Sequence, residues 1–341
     1  MKTLFFLSAL LISIPAFSQD ISYTQSFDSP LNLNPAFTGY FPASYRVGGN
    51  YKNRFPGFDN LYKTQTLWFD SKLNVPGFRK QWIGAGFRFN NDNAGGVIRN
   101  TSGMATFSFN HGLTFGNSFY YSIGFGIGYQ AHRLNYENLV FENQWDGLDF
   151  NPFLPSYEYN MTSANNFLDI CAGLMATYEN AKGNKVFLGA AMHHANKPDE
   201  SFTGVKSQMA QLIVGHFGFD ITNVQDIRFS PRIAFLMKSK QIDFNVGLEV
   251  GFNSDYGTII AGIISRNIRE FAPVIGIEFK KWTFKASYDL ATGNLNKHAI
   301  GMASGLEFSL VKTFKSNKRI APSGARNKKI VPKVWDTESP K

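Results

Sequence analysis

The sequence predicts an all-β protein: a transmembrane antiparallel β-barrel of about 14 strands, preceded by a turn-rich segment that acts as a periplasmic element or plug and followed by a basic tail. Three observations predict it. The first is alternation along the strands. In Ile242–Asn253, residues Ile242, Phe244, Val246, Leu248, Val250 and Phe252 share one face, and Asp243, Asn245, Gly247, Glu249, Gly251 and Asn253 share the other. Strand side chains repeat every two residues, so this segment has one apolar wall and one wet wall. A soluble sandwich strand does the same, but here the pattern recurs down the chain with Gly and aromatics interleaved, as in a barrel with lipid outside and a polar lumen. The second is an export signal with no apolar helix after it. The third is the lengths of the connections.

Residues 1–18 read as a signal peptide. Lys2 supplies the positive start, Leu4–Phe17 the apolar core, and Ala16-Phe17-Ser18 a small-x-small cleavage site that leaves Gln19 as the mature N-terminus. The alternative is a buried N-terminal helix, but the chain from Asp20 onward is polar and begins no helical period. No later stretch has about 18 uninterrupted apolar residues, so any membrane span must be β. The composition agrees: 31 Gly, 34 Phe and 14 Tyr with 17% charged residues do not suit long helices. Residues 19–44 are turn-rich. Pro35 fixes φ and Gly39 can take φ > 0, and the segment is expected to pack inside or beneath the barrel.

The barrel is expected over residues 45–314, with strands at Tyr45–Asn53, Lys63–Leu73, Trp82–Asn90, Met104–Phe115, Phe119–Leu134, Asn166–Tyr178, Lys185–His193, Gln208–Ile221, Ile227–Lys238, Gln241–Phe252, Gly257–Ser265, Phe271–Phe279, Trp282–Leu290 and His298–Phe314. Most are near the roughly 9–11 residues that a tilted membrane strand needs. In Phe119–Leu134, Tyr121, Ile123, Phe125, Ile127 and Tyr129 face one way, and Ser122, Gly124, Gly126, Gly128 and Gln130 the other. The even connections are mostly tight: Gly116-Asn117-Ser118, Asn180–Asn184, Thr222–Asp226, Asn253–Tyr256 and Lys280-Lys281, with Asn74–Gln81 longer. The odd ones are mostly longer: Arg54–Tyr62, Asn91–Gly103, Asn135–Asn165, His194–Ser207 and Ala291–Lys297, with Ser239-Lys240 and Arg266–Glu270 short. Outer-membrane barrels pair short periplasmic turns with long external loops, and an even strand count puts both termini in the periplasm.

The net charge of +9 sits mainly in the tail, residues 315–341. From Lys315 the chain carries eight basic residues, among them Arg326, Lys328 and Lys329, against Asp336 and Glu338. The body is nearly neutral, so the high pI is a property of the tail and does not argue for nucleic-acid binding by the fold. The tail suits an acidic periplasmic partner or anionic headgroups, and its composition is that of a solvated extension or one that folds on a partner. The longest connection, Asn135–Asn165, holds Trp145, Phe150, Phe153, Tyr157 and Tyr159 among Asp146, Asp149 and Glu158. It reads either as a partner-binding loop or as a cover that buries its own aromatics over the barrel mouth.

Motifs that carry chemistry are lacking. Asn91, Asp92 and Asn93 before Gly95-Gly96 have no glutamate in the register of a calcium loop, and read as a solvated loop. His193 and His194 are neighbours at a strand end and would point to opposite faces. Cys171 is the single cysteine and reads as a small lumen-facing residue. Gly84 and Gly86, like Gly124, Gly126 and Gly128, alternate inside strands and open no helix, so they are packing or lumen positions. There is no HExxH, GxSxG or P-loop.

The run Phe27-Asp28-Ser29-Pro30-Leu31-Asn32-Leu33-Asn34-Pro35-Ala36-Phe37-Thr38-Gly39 resembles the opening signature of the PorP/SprF family, outer-membrane proteins of the type IX secretion and gliding systems of Bacteroidota. The next strand, Tyr45-Arg46-Val47-Gly48-Gly49-Asn50-Tyr51-Lys52-Asn53-Arg54-Phe55-Pro56, resembles the family's second signature, with Lys52, Arg54 and Phe55 departing from it. His193–Asp199 with Ser201-Phe202, Ser287-Tyr288-Asp289 and His298-Ala299-Ile300 are similar to three further family stretches, in order. The family ends close to its last strand, so the basic tail is extra. The resemblance implies Asn34, Pro35, Ala36, Gly39, Arg46, Gly49, Asn50, Tyr51, Arg54 and Pro56 as motif residues of structural weight. It implies an outer-membrane barrel, long loops extracellular, that helps secrete or anchor a surface protein such as an adhesin through its C-terminal domain, together with other type IX components and outer-membrane lipid. It implies no enzyme and no cofactor, and the charge distribution gives no reason to expect a nucleic-acid partner. By residue type, Arg46 and Arg54 are expected to pair with lumen acids such as Glu249 or Glu278. Two other functions stay open on the sequence: a diffusion channel or hydrophobic-solute transporter of the fatty-acid porin kind, and a barrel lipid hydrolase, for which no serine stands out.

Overall fold

Period-two alternation folds into fourteen antiparallel strands closed on themselves. The computed structural model describes residues 20–55, 62–75, 80–115, 117–135, 139, 141–151, 153–157, 161–222, 227–292 and 305–314. In chain order the strands are β1 (Tyr45–Arg54), β2 (Tyr62–Asn74), β3 (Gln81–Ala94), β4 (Ile98–Phe115), β5 (Asn117–Leu134), β6 (Ala164–Glu179), β7 (Lys185–His193), β8 (Leu212–Thr222), β9 (Ile227–Lys238), β10 (Gln241–Ser254), β11 (Gly257–Arg266), β12 (Glu270–Phe279), β13 (Trp282–Ala291) and β14 (Gly305–Phe314). Each pairs with its sequence neighbours, and β1 closes on β14 from Tyr45↔Phe314 to Arg54↔Gly305. Closure leaves no free sheet edge, which a hydrocarbon surround demands.

Burial is inverted relative to a soluble protein. Leu67, Phe125, Ile259 and Ile275 are each more than half exposed on the outer wall. Asp70, Thr106, Asn110, Asp169 and Glu307 are fully buried on the inner wall. An outer surface so apolar is stable only against lipid. Among the described residues no helix is long and apolar enough to cross a membrane.

The strand order follows the sequence reading, and three boundaries do not. The expected loop Asn91–Gly103 is mostly strand: β3 runs to Ala94, β4 starts at Ile98, and only Gly95, Gly96 and Val97 turn between them. Asp92 therefore lies in a ladder, accepting a 2.6 Å bond from Thr64 Oγ1, not in a solvated loop. The strands here carry polar residues on both faces, so no apolar period marks them. β8 begins at Leu212, not Gln208, because Gln208 bridges Asp199 and Met209 N donates to Pro198 O within the preceding connection. The expected start of β14, His298, lies outside the described residues, as do the signal peptide and the basic tail with Arg326, Lys328 and Lys329.

Candidate functional site

Residues 20–44 cross the lumen. Three short helical turns, Ser26–Asp28, Pro30–Leu33 and Pro35–Phe37, fold the segment compactly. Proline opens the second and third, where its missing N–H costs nothing. Leu31, Asn34, Ala36 and Thr38 are fully buried. Leu33 packs with Ala191, Leu212, Val214 and Ala234 from β7, β8 and β9, with Phe27 and Phe37 against that cluster. Phe37 stacks on His216 at 4.9 Å.

The polar contacts bind the segment to walls on opposite sides of the barrel. Thr24 N and Gln25 N donate to the two carboxylate oxygens of Glu307 on β14, at 2.9 and 2.8 Å. Gln25 Nε2 donates to Ser287 Oγ on β13 at 2.8 Å, and Thr24 Oγ1 to Asp289 at 2.9 Å. Lys52 lies 3.3 Å from both Asp289 and Glu307 and donates to Thr24 Oγ1 at 3.0 Å. Lys285 bridges Asp28 of the segment, at 2.9 Å, and Glu249 of β10, at 2.7 Å. Asn34 Nδ2 donates to Leu174 O at 3.0 Å, Ala190 O at 3.2 Å and His216 Nε2 at 2.9 Å, reaching β6, β7 and β8. Arg88 of β3 donates to Asn32 Oδ1. Buried charges are costly unless compensated: Lys52, Lys285 and their carboxylates are ion-paired, while Arg88 has the neutral acceptors Asn32 Oδ1 and Met104 Sδ.

Inward glycines make room for the segment. A Cβ on Gly124 would collide with the Pro35-Ala36 backbone, and one on Gly173 with Asn34 Oδ1. Gly39 has φ +68° and lies so close that a Cβ would stand 2.6 Å from Gly84 Cα. Its N–H donates to Asp70 at 2.9 Å, and its carbonyl accepts from Trp82 Nε1 at 3.0 Å.

The arginine pairing differs from expectation. Arg46 makes two bonds to Asp70, 3.0 and 2.8 Å, with its guanidinium over Phe41 and Trp68. Arg54 pairs with Glu270 at 2.9 Å. Glu249 and Glu278 instead hold Lys285 and Arg228. Residue type marks an acid as a lumen charge, but the shear of a closed barrel decides which strand brings a base to its level. The histidines differ too. His194 follows the end of β7 with φ +55°, and this turn swings its ring inward, so both His193 and His194 are buried. His193 Nε2 lies 3.4 Å from Leu33 O. His194 sits between Asp169, 2.9 Å from Nδ1, and Asp20, 3.2 Å from Nε2. Burial alone would depress its pKa, but the bonds to Asp169 and Asp20 raise it to about 9. Asp20 is correspondingly held at about 2: burial opposes ionisation, and the bond and charge of His194, with Lys238 at 3.1 Å, outweigh it.

Of the remaining motif residues, Pro35 is buried at the start of its turn, and Asn50 accepts from Trp68 Nε1 at 3.1 Å and donates to Asp28 O at 3.3 Å. Gly49 faces outward, leaving a groove of about 350 Å³ with Tyr51, Leu67, Phe284 and Leu310 among its walls. Pro56 lies outside the described residues. The sequence reading missed Asp28, Asp70, Lys285 and Glu307. For Asp70, Lys285 and Glu307 the signal was a charged residue at an inward position of an otherwise small or neutral wall; Asp28, in the turn-rich segment, had no such pattern.

The β5–β6 connection is ordered by its own polar groups. Asp146 Oδ1 accepts from Leu148 N and Asp149 N at 2.9 Å each, and buried Gln144 donates to Leu154 O at 2.9 Å. Trp145 meets Phe150 edge-on at 5.1 Å, yet both stay about half exposed. Phe153 is 94% and Leu148 92% exposed, and Tyr157 is also exposed. The loop therefore does not bury its aromatics over the mouth. Tyr159 lies outside the described residues. Thr162 N donates to Phe202 O at 2.8 Å, tying this connection to that between β7 and β8.

Among solved structures, the chain is similar to the CymD monoaromatic hydrocarbon channel, at 10% identity over 85% of this chain and 94% of that one, TM-score 0.50. It is similar to the Pseudomonas putida toluene transporter TodX at 9% identity over 83% and 92%, TM-score 0.50. At such identities the likeness speaks for the barrel fold alone. No curated protein sequence matches. The family model described as type IX secretion system membrane protein PorP/SprF matches residues 16–306, a range that takes in the segment across the lumen and all of β1 to β13, so the chain belongs to the PorP/SprF family.

Proposed function

We propose that this outer-membrane protein serves type IX secretion by helping to export or anchor a surface protein, with an adhesin-like C-terminal domain as the held element. The observation that carries the reading is the lumen itself: residues 20–44 span it and are fixed by the Asp28–Lys285 ion pair to β13, by hydrogen bonds to Lys52 of β1 and Glu307 of β14, and by hydrogen bonds from Asn34 to strands on the opposite side. A lumen held in this way suits a rigid platform better than a diffusion path for solutes. Family membership supplies the secretion context.

In this reading the chain divides into a signal peptide (1–18), a lumen segment (19–44), a barrel (45–314) and a periplasmic basic tail (315–341). The end of β14 faces the periplasm, but the two termini do not share a side as the sequence suggested: Asp20, 3.2 Å from His194 of the β7–β8 connection and 3.1 Å from Lys238 at the end of β9, lies at the opposite end of the lumen. The β5–β6 and β7–β8 connections face outward, where Trp145, Phe150, Phe153, Tyr157 and Tyr159 meet the exported protein. Arg326, Lys328 and Lys329 meet an acidic periplasmic component. The protein acts without catalysis or a cofactor.

The test is purification from the native outer membrane in mild detergent, with co-purifying proteins identified by mass spectrometry. A large exported protein at stoichiometric level, together with other secretion components, supports the reading. Substituting Trp145 and Phe153 with Ala should lower the retained exported protein about tenfold or more, the scale of losing interface anchors. A lone barrel that conducts ions in planar bilayers would instead favour the hydrocarbon-channel alternative suggested by its structural neighbours.

A further inference from the structure

The outer wall of β2–β5 carries three tiers of different chemistry. The lowest runs Leu67↔Phe89↔Gly103↔Tyr129, apolar and lipid-exposed. Two residues along, the tier is Gln65↔Asn91↔Thr101↔Ala131, uncharged throughout and polar at its first three positions. Its amides and hydroxyl join laterally, Asn91 Nδ2 to Gln65 Oε1 at 3.5 Å and Thr101 Oγ1 to Asn91 Oδ1 at 3.3 Å. Two further on, the tier is Lys63↔Asn93↔Arg99↔Arg133, at the end of the barrel that bears the β5–β6 loop. The cationic tier stands roughly 13 Å along the strands from the apolar one.

Arg99 and Arg133 are directly opposed on adjacent strands, and both are exposed. Like charges so placed repel and destabilise a ladder. Among the described residues, neither they nor Lys63 has an ion-pair partner, although the lumen arginines Arg46, Arg54 and Arg228 each hold a carboxylate. An anion supplied from outside would relieve the repulsion, and two guanidinium forks with a lysine fit the oxygens of a phosphate.

We propose that this face binds a phosphorylated glycolipid of the outer leaflet, a lipopolysaccharide. Its phosphate sits on Arg99, Arg133 and Lys63. Its sugar meets Asn91, Gln65 and Thr101, and its acyl chains lie on Leu67, Phe89 and Tyr129. The assignment rests on the outward orientation of the β5–β6 loop adopted above. A barrel holding such a lipid beside that loop places its docking surface at the sugar layer of the membrane.

The experiment titrates full-length, delipidated protein with lipopolysaccharide, with its phosphatase-treated form and with phosphatidylglycerol, reading bound lipid by native mass spectrometry. Wild type should prefer the phosphorylated glycolipid about tenfold over the dephosphorylated form, the scale of charge-assisted hydrogen bonds. R99Q/R133Q should erase that preference, while R99K/R133K, which keeps the charge without the fork, should retain part of it. Unchanged heat-modifiable mobility on gels shows that the variant barrels are folded. Equal lipid binding by R99Q/R133Q and wild type overturns the proposal. So does equal or better binding of phosphatidylglycerol, the outcome expected if this rim faces the phospholipid leaflet. Retention of an exported protein is scored separately, so the anchoring reading stands or falls on its own measurement.

Discussion

Asn34 shows how one side chain positions a whole segment. Its amide donates toward three strands while Oδ1 accepts from Ala36 N at 2.8 Å, so the turn it caps and the wall it touches are fixed together. Asn34→Ala removes a fully buried amide and leaves His216 Nε2 unmet. It should destabilise the folded protein by about 2 kcal/mol, read from denaturant unfolding in detergent. His194 makes a charge-dependent clamp on Asp20. Because its folded pKa is raised to about 9, the stability it contributes is complete below its ordinary value of 6.5 and is lost as pH rises through about 9. Asp20, lowered to about 2, contributes fully above its ordinary 3.8 and loses that contribution as pH falls through about 2. Thermal stability should therefore decline between roughly pH 6.5 and 9, and His194→Gln should flatten that decline. An unchanged slope in the variant would remove the clamp from the account. The residue scale is also where the sequence was least legible. Arg46 was visible as a motif residue, but its partner Asp70 is set by strand register, which no local pattern encodes.

At the scale of elements, strands with one apolar wall were readable almost to the residue: β7, β9 and β13 begin where the alternation begins. β3 and β4 were readable only within the membrane band. Above it, polar residues face both lumen and outer rim, the contrast between faces disappears, and the hairpin looks like a loop. The family stretch from His193 to Phe202 gains a physical role here. Beyond Met192, β6 loses its β7 partner, and Asn196 takes over, donating to Leu168 O at 2.7 Å and accepting from Ile170 N at 3.2 Å. Inward glycines act at this scale as well. Gly173→Val places side-chain atoms where Asn34 Oδ1 lies, against a segment held by many contacts. The expected outcome is displacement of the segment, seen as faster protease cleavage within residues 20–44 and increased single-channel conductance. A variant as protected and as silent as wild type would mean that the wall, not the segment, yields.

At the scale of the whole molecule, the sequence by itself determined the all-β class, the strand count, the order of strands and the family. These follow from local facts: a period of two, the position of turns, and motifs a few residues long. The inside of the barrel was decided only by the tertiary structure. Closing β1 on β14 brings Asp289 and Glu307 to Lys52 and Thr24, two pairs from opposite ends of the chain. The same closure sets Asp28 against Lys285, and circumferential pairing lines up Arg99 with Arg133 on the outer rim. Alternation tells each residue which face it occupies; strand stagger and closure tell it which distant residue it will meet. Whether a polar lumen is a channel or a filled support depends on that second kind of information, because burying a charge is tolerable only when register delivers its partner.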